Sequence, residues 1–401
     1  RNMEVGRIGM TVSIGKVHSA GGAAAYFAAD NYYTAEQSEA ASAWAGEGAK
    51  DLGLSGTVET AAFERILNGE LPDGTQIGDA STRDSGRDFT FSMPKSASLL
   101  ALVSGDKRIL AAHMQAVKQT MAWAEKHLAE ARIKIDGKDI AVRTGNLVYA
   151  LFPHDTSRAT DPQSHIHAVI SNLTRLPEQF RNPDRVDQKT GEITSDDGWR
   201  AWHNGAMYKA SAVLSSMANA RLREKLEGLG YKTEVTGKHG AFEVLGPNGE
   251  RINKEALDGF SKRGNDIKAK AEELGVHSPE GRRAITQRTR DPKMDAGDRS
   301  ELAERWRAEA RDYQYNGDKI YAMALSRSQE RSSPIERGIL AVSSAIRDSR
   351  DRLIDYLRRP EDPLVDSGLA KLTRTPTTAR TQYATASAIR ILSEREAVFR
   401  T

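Results

Sequence analysis

The sequence predicts an α+β fold organised around an antiparallel β-sheet, and three observations support that expectation. Residues 11–17 and 88–92 alternate polar and apolar side chains as half-buried strands do, and 146–152 and 165–173 read as two further strands. Over 95–128 and 206–229 the apolar residues recur instead at helical spacing. The connection 153–164 between the last two strands contains Asp, Pro and Ser and suits a hairpin loop, which joins antiparallel neighbours.

Residues 1–9 carry no periodic pattern and read as an upstream extension or vector remnant. The first strand leads into the Gly21-Gly22 pair and a small-residue stretch, with Tyr26, Tyr32 and Tyr33 close behind. Pro94 ends the second strand, and its fixed φ suits the start of a helix, here one interrupted near Gly105. Gly230 closes the helix 206–229, in the position where glycine commonly ends a helix. Two short alternating runs around Lys238-His239-Gly240 predict a hairpin over 231–244, and 254–275 and 299–312 read as charged amphipathic helices. Residues 326–381 are rich in Arg, Ser, Thr and Pro, as linkers are, with a helix near 335–357, and a fresh helical pattern begins around Ala384. The expected organisation is an extension over 1–9, a main domain over 10–315, a linker with a helix over 316–381 and the truncated start of another domain over 382–401.

A chain of 401 residues is long enough for two or three compact units, so its core needs no covalent staple. Without cysteine there is neither a disulfide framework nor a thiolate metal site, so any metal must sit on His, Asp or Glu. No run of roughly 18 apolar residues occurs, and residues 1–17 lack the apolar core of a signal peptide. The expectation is a soluble, cytoplasmic protein with no membrane partner, monomeric by default. The 58 Lys plus Arg against 55 Asp plus Glu leave a net charge of +3, too small to announce nucleic acid, so any DNA affinity must come from local patches. Lys262-Arg263 is one such patch. The clusters at 282–290 and 350–359 alternate with acids, as solvated helix faces do.

Three of the nine histidines, His154, His165 and His167, fall within fourteen residues. Residues two apart on a strand share a face, so His165 and His167 point the same way, and a hairpin partner ending in His154 can bring a third imidazole to them. Three neutral nitrogens leave coordination positions open for substrate oxygens, as a catalytic metal site requires. Asp155 and Asp161 in the loop are placed to orient the imidazole N–H groups. A phenol can cut a phosphodiester once the phosphate is polarised and a base removes the phenolic proton, which gives Tyr26, Tyr32 and Tyr33 a chemical reading beside ordinary packing. Asp88, at the start of its strand, can accept that proton or fix a histidine tautomer. Pro94-Lys95-Ser96 sets a cation and a hydroxyl at a helix N-terminus, where phosphate binds readily, although simple capping also explains the serine.

These segments resemble, in unbroken order from about Met10 to Tyr315, the MobF-type conjugative relaxases of the TraI/TrwC family, within the wider His-hydrophobic-His nucleases. Ser19-Ala20-Gly21 with Tyr26 and Asn31-Tyr32-Tyr33 is similar to the family's N-terminal tyrosine block, and Trp44-Ala45-Gly46 with Leu52-Gly53-Leu54-Ser55-Gly56 is similar to the next segment of the family pattern. The segment from Asp88 through Phe89-Thr90-Phe91-Ser92-Met93-Pro94-Lys95 to Ser96 is similar to the signature Asp-Leu-Thr-Phe-Ser-Ala-Pro-Lys-Ser. His154-Asp155-Thr156-Ser157-Arg158, Asp161-Pro162-Gln163 and His165-Ile166-His167-Ala168-Val169 resemble its three-histidine motif. Tyr26 departs from the Tyr-Tyr pair of several members, having Phe27 as its neighbour. Relaxases of this type continue into a helicase; residues 392–399 resemble the beginning of that region, and no Gly-x4-Gly-Lys-Ser/Thr loop occurs in this sequence.

The resemblance implies a palm-like fold whose antiparallel sheet carries the histidines, with flanking helices and a C-terminal subregion that closes over DNA. It implies that Tyr26 attacks at the nicking site, that Tyr32 or Tyr33 serves a second transfer, and that His154, His165 and His167 hold one divalent ion. That ion is expected to be Mg²⁺ or Mn²⁺, with Zn²⁺ or Ni²⁺ also suited to three imidazoles. Asp88 is implied as base or histidine orienter. The implied substrate is single-stranded plasmid DNA beside a hairpin in the origin of transfer, and the implied partners are accessory relaxosome proteins and a type IV secretion coupling protein. Transfer of the protein into the recipient cell is implied as well. Arg83, Lys95, Arg158, Lys262 and Arg263 are the candidate phosphate contacts. Three other readings stay open on the residues alone: a rolling-circle replication initiator, which usually places its tyrosine after the histidines; a non-catalytic single-stranded origin DNA-binding protein; and a three-histidine metallohydrolase that uses water.

Overall fold

The computed structural model describes residues 12–29, 42–135, 137–181, 198–278, 281, 284–285 and 299–330. Its centre is a five-stranded antiparallel sheet of β1 (Val12–Val17), β2 (Ala43–Ala45), β3 (Gly86–Ser92), β6 (Tyr149–Thr156) and β7 (Pro162–Ser171), in the order β1-β3-β7-β6-β2. The two long strands nearest the centre are those that carry the histidines. The helix-and-sheet class and antiparallel pairing read from the sequence are those of the protein.

Strand alternation sorts the sheet's side chains onto two faces. Phe89, Phe91, Leu151, Ile166, Ala168 and Ile170 turn to one side and are buried in the large core with α4 (Lys95–Leu102), α5 (Lys107–Leu128) and α7 (Ser211–Gly228). Asp88, Thr90, Phe152, His154, His165, His167 and Val169 turn to the other. On that second face Ala20, Ala24 and Phe27 of α1 (Ala20–Ala29) and Phe63 and Leu67 of α3 (Thr60–Asn68) pack on Ala150, Phe152 and Val169. The same face carries Asp88 and the three histidines, of which His154 and His167 are buried.

The helical run predicted over 95–128 is two helices, α4 and α5, broken at Gly105 with φ 81°, a left-handed conformation that glycine adopts without steric cost. Asp106 then caps α5, its carboxylate accepting from Arg108 N–H and from the Tyr231 hydroxyl. Near the other end of α5, Glu125 Oε1 accepts from the backbone N–H of Leu147 and of Glu47, each at 2.7 Å, which ties α5 to the chain entering β6 and to α2 (Glu47–Asp51). Ser96 Oγ accepts from Val244 N–H at 3.0 Å, fastening α4 to the predicted hairpin, formed by β10 (Thr233–Val235) and β11 (Phe242–Val244).

The connection between the histidine strands is shorter than predicted. Residues expected in the loop, Pro153 to Thr156 and Pro162 to Ser164, continue the ladder instead. Pro153 is tolerated there because β2 pairs with β6 no farther than Leu151, so beyond it β6 is an edge strand. A hairpin absent from the expectation, β4 (Glu130–Ile135) with β5 (Lys138–Arg143), turns around Gly137, and β8 (Thr174–Arg175) pairs with β9 (Trp199–Arg200).

Farther along, α6 (Gly205–Lys209) precedes α7, and α8 (Lys254–Gly259), α9 (Lys262–Glu273) and α10 (Arg299–Asp312) come after the second hairpin. A last described helix, α11 (Gly317–Glu330), buries Ile320 and Ala324 in the main core. One compact unit runs to Ser328 and a second covers residues 329–401, where the expected helix 335–357 and the pattern from Ala384 lie outside the described residues. Among the described residues no helix is long and apolar enough to cross a membrane.

Candidate metal and nucleophile site

The pairing of β6 with β7 sets His154 directly opposite His165, and Phe152 opposite His167. Because all three histidines face the same side of the sheet, their rings converge: the centroids of His154 and His165 are 5.3 Å apart, those of His154 and His167 4.7 Å, and those of His165 and His167 5.0 Å. One nitrogen from each lies within 4.8 Å of the others, a spacing that lets all three reach a single ion.

Hydrogen bonds decide which nitrogens are available. His165 Nδ1 lies 3.0 Å from the carbonyl oxygen of Gln163, so it carries the proton and leaves Nε2 as the lone-pair donor. His167 Nδ1–H donates to Asp88 Oδ2 at 2.8 Å, which likewise leaves Nε2 to coordinate. His167 Nε2 is buried, with no hydrogen-bond partner among the described residues. A buried imidazole nitrogen without a partner, next to two more imidazoles, fits a divalent ion and fits little else. Asp88 reaches His167 because β3 pairs with β7 with Thr90 opposite His167, and Thr90 Oγ1 stands 3.2 Å from the same Nδ1.

Tyr26 projects from α1 over this cluster, with its ring centroid 5.9 Å from that of His154 and 6.3 Å from that of His167, both edge-on. Its neighbour Phe27 is buried and stacks on Phe152 at 4.7 Å. Phe27 therefore anchors the helix while Tyr26, half-buried, presents the phenol.

The structure thus brings Tyr26, Asp88, His154, His165 and His167 together, as the sequence reading expects. Tyr32 and Tyr33 lie outside the described residues. Among the candidate phosphate contacts, Arg83 donates to the carbonyl oxygens of Ile77 and Asn172, a role in holding the fold together that accounts for its position without DNA. Lys95 turns its ammonium inward, donating to the Pro162 carbonyl at 3.0 Å, and desolvation pushes its pKa down to about 8 against the pull of Asp161. Lys262 bridges Asp161 at 3.7 Å and Glu309 at 2.8 Å. Arg158 sits half-buried in the hairpin loop and Arg263 half-buried on α9. Asp161, expected to orient an imidazole, instead accepts from the backbone N–H of Lys262 at 2.9 Å.

Sequence reasoning missed Thr90 and the carbonyl of Gln163. Thr90 was within reach, being two residues from Asp88 on the same strand face. The Gln163 carbonyl carries no side-chain signal at all.

The sequence model of the TrwC relaxase family matches residues 20–313. The chain belongs to the TrwC relaxase family. It is 41% identical over 258 residues to the multifunctional conjugation protein TraI of Escherichia coli strain K12, a match covering 63% of this chain and 14% of that protein. A second TraI from Escherichia coli is 37% identical over 270 residues, covering 66% of this chain and 15% of its own length. The matches thus span about 14–15% of the length of these curated relatives. Among solved structures, the conjugative relaxase TrwC in copper-bound complex with oriT DNA superposes with a TM-score of 0.64 at 35% identity, covering 77% of this chain and 99% of that one. TrwC complexed with a 27-mer DNA comprising the recognition hairpin and the cleavage site superposes at 0.61, again with 35% identity and the same coverage.

Proposed function

We propose that this member of the family is a conjugative relaxase domain that nicks one strand of plasmid DNA at an origin of transfer through Tyr26 and later rejoins it. The observation that carries the proposal is the edge-on approach of the Tyr26 phenol to two of three imidazoles whose ring nitrogens converge within 4.8 Å of one another. A water-based hydrolase has no use for that phenol, and a binding protein has no use for the unpartnered nitrogen of His167.

The chemistry balances as a transesterification. The phenolic oxygen of Tyr26 forms a bond to the scissile phosphorus as the bond from phosphorus to the 3′-oxygen breaks. The phenol loses the proton that the departing 3′-oxygen gains, leaving a 5′-phosphotyrosyl ester and a free 3′-hydroxyl. Attack by such a hydroxyl on the stored ester reverses the step without ATP. His154, His165 and His167 would hold a divalent ion, which would supply positive charge to the phosphate when bound. Asp88, accepting from His167 Nδ1–H, acts as the histidine orienter, and burial of Phe27 and Phe152 keeps one side of the site dry.

The finer parts of the reading rest on the same support. The metal is Mg²⁺ or Mn²⁺, with Zn²⁺ or Ni²⁺ as alternatives, the substrate a single strand beside an origin hairpin, and Tyr32 or Tyr33 serves a second transfer. Arg83, Lys95, Arg158, Lys262 and Arg263 are the basic side chains proposed for phosphates, and Arg83, Lys95 and Lys262 also make contacts within the fold. The main domain, starting near Met10, precedes a linker and a helicase-like region, and the protein works in the cytoplasm with relaxosome proteins and a secretion coupling protein before entering the recipient.

The test is incubation with labelled single-stranded origin oligonucleotide and Mg²⁺ or Mn²⁺, then denaturing electrophoresis. A protein-DNA adduct is expected from the unaltered chain and its absence from Tyr26→Phe and His165→Ala. Cleavage that survives Tyr26→Phe without any adduct would favour the hydrolase, and binding with no cleavage under any condition would favour the non-catalytic reading.

A further inference from the structure

The loop joining the two histidine strands is gripped from the far end of the sequence. Residues 157–161 close a tight turn, with Ser157 N–H donating to the Asp161 carbonyl at 2.9 Å and Thr160 N–H to the Ser157 carbonyl at 3.0 Å. Ser157 Oγ accepts from the N–H groups of Ala159 and Asp161. At the corner, Thr160 is buried with φ 58°, a left-handed conformation that a β-branched residue rarely adopts. Such a conformation persists only where the surroundings over-determine it.

Those surroundings are α9 and α10. Trp306 Nε1–H donates to the Thr160 carbonyl at 2.9 Å, and Arg305 Nη2 donates to Thr160 Oγ1 at 2.7 Å. The adjacent Asp161 carboxylate accepts from the N–H of Lys262, the first residue of α9, and Lys262 in turn pairs with Glu309 of α10. Two consecutive loop residues are therefore held by groups about a hundred or more positions away.

The corner matters because of what it sets. Thr156 pairs with Pro162, an irregularity separates that pair from the next, and His154 then pairs with His165. Any change in how the chain turns at Thr160 slides β7 along β6, and a slip of one residue would carry His165 and His167 to the opposite face of the sheet. Smaller shifts misalign the rings.

We propose that Trp306, supported by Arg305, is a positioning residue for the metal site: by holding Thr160 left-handed it fixes the strand register that brings His154 and His165 to one ion. The inference rests on the metal reading given under Proposed function. It also gives the C-terminal helices a second task, since whatever displaces α10 loosens the ion.

The experiment is calorimetric titration of the full chain with Mn²⁺, with no DNA present. The unaltered protein should bind one equivalent and His165→Ala should not. Trp306→Phe keeps the aromatic packing and removes the N–H donor, and should weaken binding by about tenfold, the lower range for partners that orient ligands. Adding Thr160→Gly to Trp306→Phe should recover most of that loss, because glycine turns left-handed without help. A merely structural role for Trp306 would lower the unfolding temperature without this rescue. Unaltered affinity in Trp306→Phe, or no recovery in the double variant, would overturn the inference while leaving the metal reading intact. Absence of Mn²⁺ binding in the unaltered protein would overturn both. Should Trp306→Phe not fold, Arg305→Met, which keeps the stem and removes the donors, makes the same comparison.

Discussion

Replacing Asp88 separates two roles that one carboxylate can play. Its Oδ2 lies 2.8 Å from His167 Nδ1, a charge-assisted contact that fixes both the ring's orientation and the nitrogen that carries the proton. Without it, His167 can rotate or change tautomer, and Nε2 no longer points where the other two imidazoles converge. Partners of this kind are worth about 10- to 100-fold in metal affinity, or about 1.4–2.8 kcal/mol. Thr90 Oγ1, 3.2 Å from the same nitrogen, offers a substitute acceptor, so Asp88→Ala is expected near the middle of that range. Asp88→Asn retains a carbonyl oxygen able to accept from Nδ1–H, and should lose less than about tenfold. Titration with Mn²⁺ in parallel with adduct yield reads both effects. Unchanged affinity in Asp88→Ala together with lost adduct would refute the orienting role and assign Asp88 to proton removal.

Three further outcomes are expected from the packing. Burial raises the Glu125 carboxyl to about 7 despite two N–H donors, so the folded state holds a proton between its ordinary value near 4.5 and 7 that the unfolded chain has released. Stability from this group is full below 4.5 and is lost as pH rises through 7, by about 3 kcal/mol in all. Glu125→Gln keeps the Oε1 acceptor and should abolish that fall in urea unfolding measured at about pH 5 and about pH 8, either side of most of the change; parallel profiles for the two proteins would contradict it. Gly86→Ala should destabilise strongly, since a Cβ there, at φ 153°, would lie 2.1 Å from the Ile170 carbonyl oxygen; an unchanged melting temperature would show that β3 can move away from β7. Phe27→Ala, which empties a position stacked on Phe152 and edge-on to Phe63, should cost about 3–5 kcal/mol in denaturant unfolding and reduce adduct formation by freeing α1; wild-type stability and adduct yield would show that Phe27 does not anchor that helix.

Much of the site is legible in the sequence because strand periodicity acts locally. His165 and His167 share a face whatever else the chain does, and a short hairpin can only bring His154 back beside them. The contact between Asp88 and His167 is different in kind, since it depends on β3 pairing with β7, a register between distant segments that no local pattern encodes. The extent of β6 and β7 is hidden for a related reason: Pro153 reads as a strand breaker, and only the shortness of β2 makes its position an edge. The grip of Trp306 on Thr160 is invisible, because a donor to a backbone carbonyl leaves no trace in the acceptor's residue type. The hairpin of β4 and β5, by contrast, does carry a signal, its Asp136-Gly137 pair being a common turn sequence.

The step on which the mechanism turns is the covalent joining of the Tyr26 oxygen to DNA. Digesting the adduct with protease and nuclease and sequencing the modified peptide by mass spectrometry tests it directly. The expected result is a nucleotide phosphate on the peptide containing Tyr26. Recovery of unmodified Tyr26 peptide alongside cleaved DNA with a free 5′-phosphate would contradict it.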